Sequence, residues 1–299
     1  MKVIAAVVSF NRAELLQQCL SAIAAQTRPV DGLIVVDNAS TDGAADVARQ
    51  HPSRPQVVAL KRNIGGAGGF ACCLQEALAA GADYVWLMDD DTIPTPTALQ
   101  RLTDVIDAYP GKLALLGSRA VWTDGRDHPM NTPRLRWRAS ANETQDAALV
   151  GGVPIRTSSF VSMLVAADSV RQVGLPCADM FIWNDDFDFS ARVLRRARGL
   201  YVPASVVEHR TARLAGADDD PGDRFYYEVR NKIWTFRGKA FGPLDWCAYA
   251  GGTLRRWART LARSRQRGAL LRVGSRGFGD GLRHRPRPSE AVVKAGFDG

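Results

Sequence analysis

Long apolar runs are missing from this chain of 299 residues, since none approaches the ~20 residues that a membrane-spanning helix requires. The first twelve residues contain one lysine and a short apolar stretch, and no small-residue cleavage site follows them. We therefore expect a buried first strand at this end instead of a signal peptide. A cytoplasmic protein is the corresponding expectation for its location.

Cysteines are few, and the chain has no internal repeat. The five cysteines form no Cys-x-x-Cys pair, and the adjacent Cys72 and Cys73 are poorly placed to bridge each other. This usage predicts buried, reduced thiols and no disulfide framework.

The first 120 residues alternate between short apolar runs and helix-like stretches. The apolar runs lie at Val3–Val8, Leu33–Val36, Val57–Leu60, Tyr84–Met88 and Leu113–Leu116. The helix-like stretches lie at Ala13–Ala25, Ala44–Gln50, Gly68–Ala80 and Thr97–Tyr109. Continuous apolar strands separated by helices predict an α/β fold with a mostly parallel sheet covered on both faces. Ligands of such sheets bind beyond the carboxyl ends of the strands.

The second half of the chain is less regular. Residues 122–157 are rich in Trp, Arg, Asn and Pro, and we interpret them as an excursion near the site. Regular elements are predicted again at Phe160–Ala166, in a helix over Asp185–Arg198, in a strand over Gly199–Val207 and in an amphipathic segment over Arg224–Arg237.

Three adjacent carboxylates, Asp89, Asp90 and Asp91, follow the fourth apolar run. Their mutual repulsion at a buried strand end is costly without a cation. Alternate residues of an extended segment point the same way, so Asp89 and Asp91 can share one hard cation such as Mg²⁺ or Mn²⁺. The alternative is a solvated acidic turn that caps the following helix.

A glycine-rich segment follows the third run and fits G-x-G-x-x-A over residues 66–71. Together with an acidic cluster 23 residues beyond Gly66, it resembles the dinucleotide fingerprint of an oxidoreductase. Five residues separate it from its strand, however, and the acidic partner is a run of three carboxylates. The glycines either let the backbone approach a nucleotide or pack a helix closely on the sheet.

A second acidic group, Asp185, Asp186 and Asp188, stands among aromatic residues at a predicted helix start. Such a cluster can serve as a helix cap, but neighbouring carboxylates also raise one another's pKa, as a general base requires. His209 ends the strand that follows, although a lone histidine is more often structural.

The basic excess is confined to the end of the chain. Residues 251–299 hold 12 Lys or Arg against 3 Asp or Glu, whereas the other 250 residues hold 27 against 28. An apolar stripe at helical spacing is formed by Leu254, Trp257, Ala258, Leu261 and Ala262. Such a helix either binds an anionic membrane surface or packs on the rest of the protein. We expect no nucleic-acid binding, because the remainder is neutral and lacks interleaved aromatic and basic residues.

Six motifs in a fixed order carry a family resemblance. They are SFNR at residues 9–12, VVDNASTD at 35–42, RNIGGAGGF at 62–70, DDD at 89–91, WNDDFDFS at 183–190 and EHR at 208–210. Over roughly residues 2–237 the chain resembles the bacterial family 2 glycosyltransferases with the GT-A fold. Within that family it is most similar to galactofuranosyltransferases of the initiating type, which act on a lipid-linked acceptor.

The resemblance implies a division of the chain. The catalytic domain comprises residues 1–237, with a nucleotide-binding half at 1–120 and an acceptor half at 121–237. A basic, helical tail follows at 238–299. The expected location is the cytoplasmic face of the cell membrane, with the tail as the peripheral contact.

The resemblance also implies residue roles. The nucleotide-sugar contacts are Ser9, Phe10, Asn11, Arg12, Asp37, Asn38, Arg62, Asn63, Gly65, Gly66, Asp89 and Asp90. A Mn²⁺ or Mg²⁺ ion is held by Asp89, Asp91 and His209. Asp186 is the base, Asp185 precedes it, and Asp188 is the fallback if the register is shifted. Trp122, Trp137 and Trp183, with the arginines of 134–138, are candidates for the acceptor site.

The implied reaction is a metal-dependent, inverting transfer of galactofuranose from UDP-galactofuranose to a lipid-linked or polysaccharide acceptor of the cell wall or surface. Transfer of rhamnose or another hexose is the alternative within the family. An NAD-dependent oxidoreductase is the alternative outside it, and a nucleotide-sugar-binding module without activity is a third.

Overall fold

The structure is a computed structural model that describes residues 1–214 and 221–298. Its strands are β1 (Val3–Ser9), β2 (Gly32–Asp37), β3 (Gln56–Ala59), β4 (Tyr84–Asp89), β5 (Thr92–Pro94), β6 (Leu115–Val121), β7 (Arg134–Leu135), β8 (Val153–Thr157), β9 (Met163–Ala166) and β10 (Gly199–His209). Its helices are α1 (Ala13–Ala24), α2 (Ala44–Gln50), α3 (Gly65–Ala79), α4 (Ala98–Ala108), α5 (Ala141–Leu149), α6 (Ala167–Val173), α7 (Asp185–Val193), α8 (Phe225–Arg237), α9 (Pro243–Arg263), α10 (Arg267–Arg283) and α11 (Ser289–Phe297).

The strands form one mixed sheet in the order β3-β2-β1-β4-β9-β6-β10-β8-β7, with β5 paired to β10. β3, β2, β1 and β4 are parallel, and so are β6 and β10. β9 is antiparallel to both of its neighbours, so β4 and β6 run in the same direction. Six strands therefore end at the same edge of the sheet, as the alternation of runs and helices predicts.

Helices cover both faces of this sheet because successive side chains of a strand point to opposite sides. On β1, Val3, Ala5 and Val7 pack in the apolar cluster that contains α1, α2 and α4. The intervening Ile4, Ala6 and Val8 pack in the cluster that contains α3 and α7. The core thus lies in two layers, one on each face of the sheet, and β1 between them is fully buried.

Several sequence-based boundaries shift in the structure. The helix predicted from Gly68 begins at Gly65, so the glycine-rich segment is helical and not a loop. The helix predicted over Asp185–Arg198 ends at Val193. The excursion at 122–157 contains α5 and two short strands.

The expectation of five buried thiols is wrong for two of them. All five cysteines are free, but Cys177 is only partly buried and Cys247 is exposed. Cys247 lies on the outward face of α9, where helical spacing places every third or fourth residue in solvent.

The C-terminal helices pack on the preceding elements. Phe225 and Val229 of α8 form an apolar cluster with Leu270 of α10, and Trp257 and Leu261 of α9 pack against it. Residues on both sides of the predicted boundary at 237/238 therefore share a cluster, and the boundary itself stays a prediction.

The predicted stripe of the tail is split between two faces of α9. Trp257 and Leu261 face the protein, whereas Leu254, Ala258 and Ala262 are exposed. Across residues 1–214 and 221–298, we find no helix with both the length and the apolar character needed to cross a bilayer.

Candidate active site

Polar residues from five strands meet at the edge of the sheet where the parallel strands end. The β1–β2 register places Ser9 beside Asp37, and the β1–β4 register places Val8 beside Asp89. At the other side of the same edge, the β5–β10 register places Thr92 beside His209. The topology thus brings the acidic run and the distant histidine together, although more than 100 residues separate them in sequence.

Asp89, Asp91 and His209 form a group suited to a divalent cation. One ligand atom from each of them lies within 4.8 Å of the other two. Nε2 of His209 lies 3.1 Å from Oδ1 of Asp91, and within residues 1–214 and 221–298 this buried oxygen accepts no hydrogen bond of normal geometry. Two carboxylates and one imidazole fit Mn²⁺ or Mg²⁺ with open positions for a diphosphate.

The environment of the acidic run shifts its three pKa values differently. Burial, then Asp91 and Asp90, raise the pKa of Asp89 well above its usual range. Burial also raises the pKa of Asp90, to about 6, although Arg12 opposes it. Burial would raise the pKa of Asp91 too, but the adjacent His209, followed by Arg12, lowers it below its usual value. The run is therefore a concentrated negative charge in a poorly hydrated place, which a bound cation relieves.

Asp90 organises the end of β1. Its carboxylate accepts hydrogen bonds from the Ser9 hydroxyl at 2.9 Å and from the Phe10 amide at 3.1 Å. Arg12 bridges Asp90, at 3.3 Å, and Asp91, with which it forms a close ion pair. The polar groups of Ser9 and Phe10 are thus engaged within the protein, and the exposed Phe10 ring remains available to a ligand.

Asp37 presents a buried acceptor at the end of β2. Its Oδ2 accepts from the Ser40 amide at 3.1 Å, while its buried Oδ1 has no partner among the described residues. Asn11 ties the same loop down, because its Oδ1 accepts from the Thr41 amide at 2.8 Å. A donor from a ligand would complete the hydrogen bonding of Asp37.

The segment before α3 is held by side-chain amides. Oδ1 of the buried Asn38 accepts from the Ile64 amide at 2.9 Å, and its Nδ2 donates to the Gly65 carbonyl at 3.0 Å. Oδ1 of Asn63 accepts from the Gly65 amide at 2.7 Å. Arg62 is exposed and has no ion pair or hydrogen bond within the described residues. Arg62 therefore presents a side chain that is available to a ligand.

The glycines of α3 serve close packing. A Cβ on Gly69 would lie 2.5 Å from Cγ1 of Val8, and one on Gly68 would lie 2.6 Å from the Ile64 side chain. Close packing of the helix on the sheet is therefore the alternative that holds for Gly69, and Gly68 packs closely against Ile64 just before the helix. Gly66 differs, since nothing lies within 4 Å of its Cβ position.

Strained backbone precedes the second acidic group. Phe181, Trp183 and Asn184 all have φ near +67°, a region of backbone conformation that residues other than glycine rarely adopt. The buried amide of Asn231 on α8 holds this segment by donating to three backbone carbonyls. They belong to Met180 (3.0 Å), Ile182 (2.9 Å) and Trp183 (2.8 Å). The strain sets the direction in which α7 leaves the loop.

The carboxylate of Asp186 lies beside hydrogen-bond donors. It accepts from the Phe187 amide at 2.6 Å, and Phe187, Lys232, Ser159 and Phe160 all act to lower its pKa. Burial is the main cause that raises the pKa of Asp186 above its usual value. A carboxylate with a raised pKa and fixed orientation is suited to accept a proton near neutral pH.

Asp185 and Asp188 have different surroundings. Burial, followed by the charge of Asp186, raises the pKa of Asp185, and Asp185 in turn raises the pKa of Asp89. The two acidic groups of the sequence are therefore electrostatic neighbours. Asp188 is engaged elsewhere, in an ion pair of 2.9 Å with Arg192.

Lys232 of α8 lies beside the second acidic group, and no sequence motif predicted it. It is 4% exposed, and its ammonium lies 3.2 Å from the centre of the Phe187 ring. Burial lowers the pKa of Lys232 to about 7. Its neighbour Glu228 accepts from Asn184 at 2.8 Å and forms a close ion pair with Arg256 of α9. The C-terminal helices thus contact the support of the second acidic group directly.

The three candidate tryptophans are not brought together. The indole N–H of Trp122 donates to the Thr211 carbonyl at 3.0 Å, just beyond His209, and Trp183 lies two residues before Asp185. Trp137 is 60% exposed beside the amino end of β10, where the Arg136 amide donates to the Pro154 carbonyl. The 11 residues of β10 rise roughly 3.3 Å each, so about 30 Å separates that end from His209.

Comparisons with known proteins agree with this architecture. A sequence model described as glycosyl transferase family 2 matches residues 5–170. The chain is 34% identical over 199 residues to galactofuranosyltransferase GlfT1 of Mycolicibacterium smegmatis (strain ATCC 700084 / mc(2)155). The aligned region covers 64% of this chain and 65% of that protein. It is 32% identical over 246 residues to galactofuranosyltransferase GlfT1 of Mycobacterium tuberculosis (strain ATCC 25618 / H37Rv), which covers 75% of this chain and 79% of that protein. The match to the first relative thus spans slightly less than two thirds of its length.

A solved structure shares the fold. The crystal structure of S. aureus TarS 1–349 in complex with UDP matches with a TM-score of 0.63 and 14% identity, over 99% of this chain and 89% of that chain. At this identity the likeness shows the fold alone. The family match, by contrast, covers more than half of the chain, and the mycobacterial relative extends it to three quarters. The chain therefore belongs to glycosyltransferase family 2, has the GT-A fold and is a glycosyltransferase.

Proposed function

We propose that the protein is an inverting, metal-dependent galactofuranosyltransferase that uses UDP-galactofuranose as donor. The observation that carries this proposal is the group formed by Asp89, Asp91 and His209, with Asp185 near enough to contribute to the raised pKa of Asp89. A cation site for a diphosphate next to a candidate base is the minimum that a direct displacement requires. The relatives named galactofuranosyltransferase support the choice of sugar.

The nucleotide is proposed to lie across the ends of β1 and β2. The unpartnered Oδ1 of Asp37 can accept from a base N–H or a ribose hydroxyl, and the exposed ring of Phe10 offers a stacking face. Arg62 can reach a phosphate, and the open position at Gly66 leaves room for close approach. The remaining predicted contacts, among them Asn11, Asn38, Asn63 and Gly65, shape this surface through the hydrogen bonds described above.

Asp89, Asp91 and His209 are proposed to hold Mn²⁺ or Mg²⁺. When bound, such an ion would supply positive charge against the diphosphate as it becomes the leaving group. The orphaned buried oxygen of Asp91 supports this assignment, because a buried acceptor without a partner is otherwise costly.

Asp186 is proposed as the base. It takes the proton of the acceptor hydroxyl as that oxygen forms a bond to the anomeric carbon, and the bond from this carbon to the UDP oxygen breaks with its electron pair. Attack opposite to the leaving group inverts the anomeric centre. The ion pair of Asp188 with Arg192 favours Asp186 over the fallback base.

The acceptor is proposed to be lipid-linked, with the C-terminal helices against an anionic membrane on the cytoplasmic side. Exposed apolar residues and arginines share the outer surface of α9 and α10. On α10, Leu271, Phe278 and Leu282 follow helical spacing and are 53%, 46% and 49% exposed. An amphipathic basic surface of this kind suits anionic headgroups. The alternative to galactofuranose as the transferred sugar is rhamnose or another hexose.

The experiment compares donor binding with turnover in an Asp186→Asn variant. The assay supplies UDP-galactofuranose, Mn²⁺ and a polyprenyl-diphosphate-linked oligosaccharide, and a nucleotide-activated rhamnose is the competing donor. We expect transfer to fall by at least about 100-fold, because the proton acceptor is lost, with the Kd for UDP within about threefold of wild type. Asp124→Asn, an exposed carboxylate paired with Arg126, is the matched control. A parallel loss of UDP binding would show that Asp186 supports the structure or the metal, and faster transfer of rhamnose would overturn the choice of sugar.

A further inference from the structure

One face of α8 contacts the segment that leads into α7. Glu228, Asn231 and Lys232 follow helical spacing and lie on this face. Nδ2 of Asn184 donates to Oε2 of Glu228 at 2.8 Å, and the Asn231 amide donates to three backbone carbonyls of the strained loop. The ammonium of Lys232 lies 3.2 Å from the centre of the Phe187 ring. This face of α8 therefore contacts residues on both sides of the acidic pair.

Glu228 differs from the other two residues because it also reaches α9. Its Oε1 forms a close ion pair with Arg256 and accepts from the indole N–H of Trp257 at 3.2 Å. Its Oε2 is the oxygen that accepts from Asn184. The Glu228 side chain is 14% exposed, so little water is available to replace either partner of this charged acceptor. The two oxygens thus bridge the C-terminal helix α9 to the residue directly before the acidic pair.

The place of the Asn184 side chain matters for Asp186. Asn184 immediately precedes α7, where an asparagine ordinarily accepts a hydrogen bond from the backbone amide two or three residues further on. Here its side chain makes no such bond and is held by Glu228 instead. The amide three residues on, that of Phe187, donates to Oδ1 of Asp186 at 2.6 Å. An Asn184 released from Glu228 can compete with Asp186 for this amide hydrogen.

We propose that Glu228 is a positioning residue, which fixes the orientation of Asp186 by holding Asn184 against the arginine and the indole of α9. This inference rests on the role of Asp186 as the base in the proposed function. Its content is that a helix outside the predicted catalytic domain sets the geometry of the base. In the part of the chain that the structure describes, Glu228 has no hydrogen bond or ion pair with the proposed nucleotide contacts. UDP affinity and turnover therefore report separate effects.

Substitutions can break the bridge on either side. Glu228→Gln keeps the size of the side chain but has a single oxygen, so it accepts from α9 or from Asn184 and not from both. Asn184→Gly removes the amide yet tolerates the left-handed backbone, with φ of +68°. Arg256→Met removes the charged partner on α9. Arg101→Met is the matched control, an exposed arginine of α4 that lies 3.9 Å from Asp104.

The experiment measures kcat with saturating UDP-galactofuranose, Mn²⁺ and the polyprenyl-diphosphate-linked oligosaccharide, and the Kd for UDP in the presence of Mn²⁺. We expect kcat to fall by about tenfold or more in Glu228→Gln and by about threefold or more in Arg256→Met, with the Kd for UDP within about threefold of wild type. In an Asn184→Gly background, Glu228→Gln should lower kcat by less than about threefold, because the side chain through which Glu228 acts is gone. Arg101→Met should match wild type in both measurements.

A wild-type kcat in Glu228→Gln would overturn the positioning role, and so would an equal loss from this substitution with and without the Asn184 side chain. An Arg256→Met variant that matches Arg101→Met would overturn the part assigned to α9. A fall in kcat with an equal loss of UDP affinity and a lowered unfolding midpoint would describe a structural residue and overturn the role as well. Failure of the proposed function is recognised in the wild-type protein. If wild type does not transfer galactofuranose, the base role of Asp186 fails, and the role of Glu228 fails with it.

Discussion

Lys232 is a buried lysine beside Phe187 of the second acidic group, where little water reaches its amino group. Glu228 and Asp186 favour its charged form, whereas Arg256 and Arg134 oppose it, and burial outweighs all four in lowering its pKa to about 7 from an ordinary value of 10.5. A lysine whose pKa lies near neutrality can change charge when a ligand enters or leaves. Lys232 is therefore a residue whose ionisation can respond to a ligand that binds beside it.

The depressed pKa of Lys232 predicts a pH dependence of stability. Between pH 7 and 10.5 the unfolded chain binds more protons at this residue than the folded chain, so the free energy of unfolding rises with pH in this window. Lys232→Met lacks this contribution. We expect the free energy of unfolding of wild type, relative to that of the variant, to rise by up to about 1.4 kcal/mol per pH unit between pH 7.5 and 9.5. Urea unfolding of both proteins at several pH values measures this, and a constant difference would contradict the assignment.

The family resemblance predicted that Asp89, Asp91 and His209 lie together, and the structure places one ligand atom from each of them within 4.8 Å of the other two. The roles of these residues and of the acidic pair stay predictions. Lys232 could not be found from the sequence, because a lysine on a helix is an ordinary surface residue there and only tertiary packing buries it. Trp137 was named because aromatic faces suit sugars, but its place in the fold separates it from the acidic residues.

At the scale of elements, α3 shows how glycine can serve packing and turning at once. Gly65 has φ of +78°, and a Cβ there would lie 2.1 Å from the Phe181 carbonyl oxygen. Gly65 thus lets the start of α3 approach the strained loop before α7. The sequence motif gave no means to distinguish this role from a nucleotide loop, because both require glycine at close approach.

Two adjacent glycines allow a matched test of α3. We expect Gly65→Ala to lower the free energy of unfolding by about 2 kcal/mol or more, through its positive φ and its contact with Phe181. Gly66→Ala should be neutral or stabilising by up to about 1 kcal/mol, because its Cβ position is open and alanine favours a helix. Thermal and urea unfolding measure both. Equal costs at the two positions would contradict the packing role assigned to Gly65.

Gly66→Ala also addresses the nucleotide. If the backbone at Gly66 approaches a bound UDP closely, the variant loses UDP affinity while its stability is unchanged. Unchanged affinity would remove Gly66 from the proposed nucleotide contacts and leave the packing of Gly65, Gly68 and Gly69 as the function of the whole segment.

Strand and helix positions in the first 120 residues were predictable because apolar runs and helical periodicity report burial directly. The loop before α7 was not predictable. Its left-handed residues Phe181, Trp183 and Asn184 are held by Asn231, which lies 47 to 50 positions further along the chain. The residues around position 181 cannot reveal that a hydrogen-bonding partner so far along the chain holds this loop.

At the scale of the whole molecule, the C-terminal helices pack on the rest of the protein, which is one of the two alternatives for the tail. One face of α9 packs on α8 and α10, and the other presents Leu254 at 62% exposure beside arginines. Packing explains why Trp257 and Leu261 are apolar, and the proposed membrane contact would account for the exposed apolar residues. The same packing connects α9 with Glu228 and so with the acidic pair.

The membrane contact predicts selective binding to anionic vesicles. We expect wild type to sediment with phosphatidylglycerol vesicles and to remain in solution with phosphatidylcholine vesicles, because the arginines require anionic headgroups. Leu254→Glu combined with Phe278→Glu should abolish sedimentation and leave the Kd for UDP unchanged. Leu149→Glu is the control, since this leucine is 75% exposed on α5. Binding that is equal for both lipids, or unaffected by the double substitution, would contradict the contact.

The central claim is that the acidic run and His209 form a metal-dependent UDP site, and calorimetric titration of UDP with and without Mn²⁺ tests it most directly. We predict that Mn²⁺ tightens the binding of UDP by about tenfold or more in wild type. This gain should disappear in His209→Ala and in Asp91→Asn, which remove separate ligands of the proposed ion, while NAD produces no heat. UDP binding that is indifferent to Mn²⁺, or a gain from Mn²⁺ that survives both substitutions, would contradict the account.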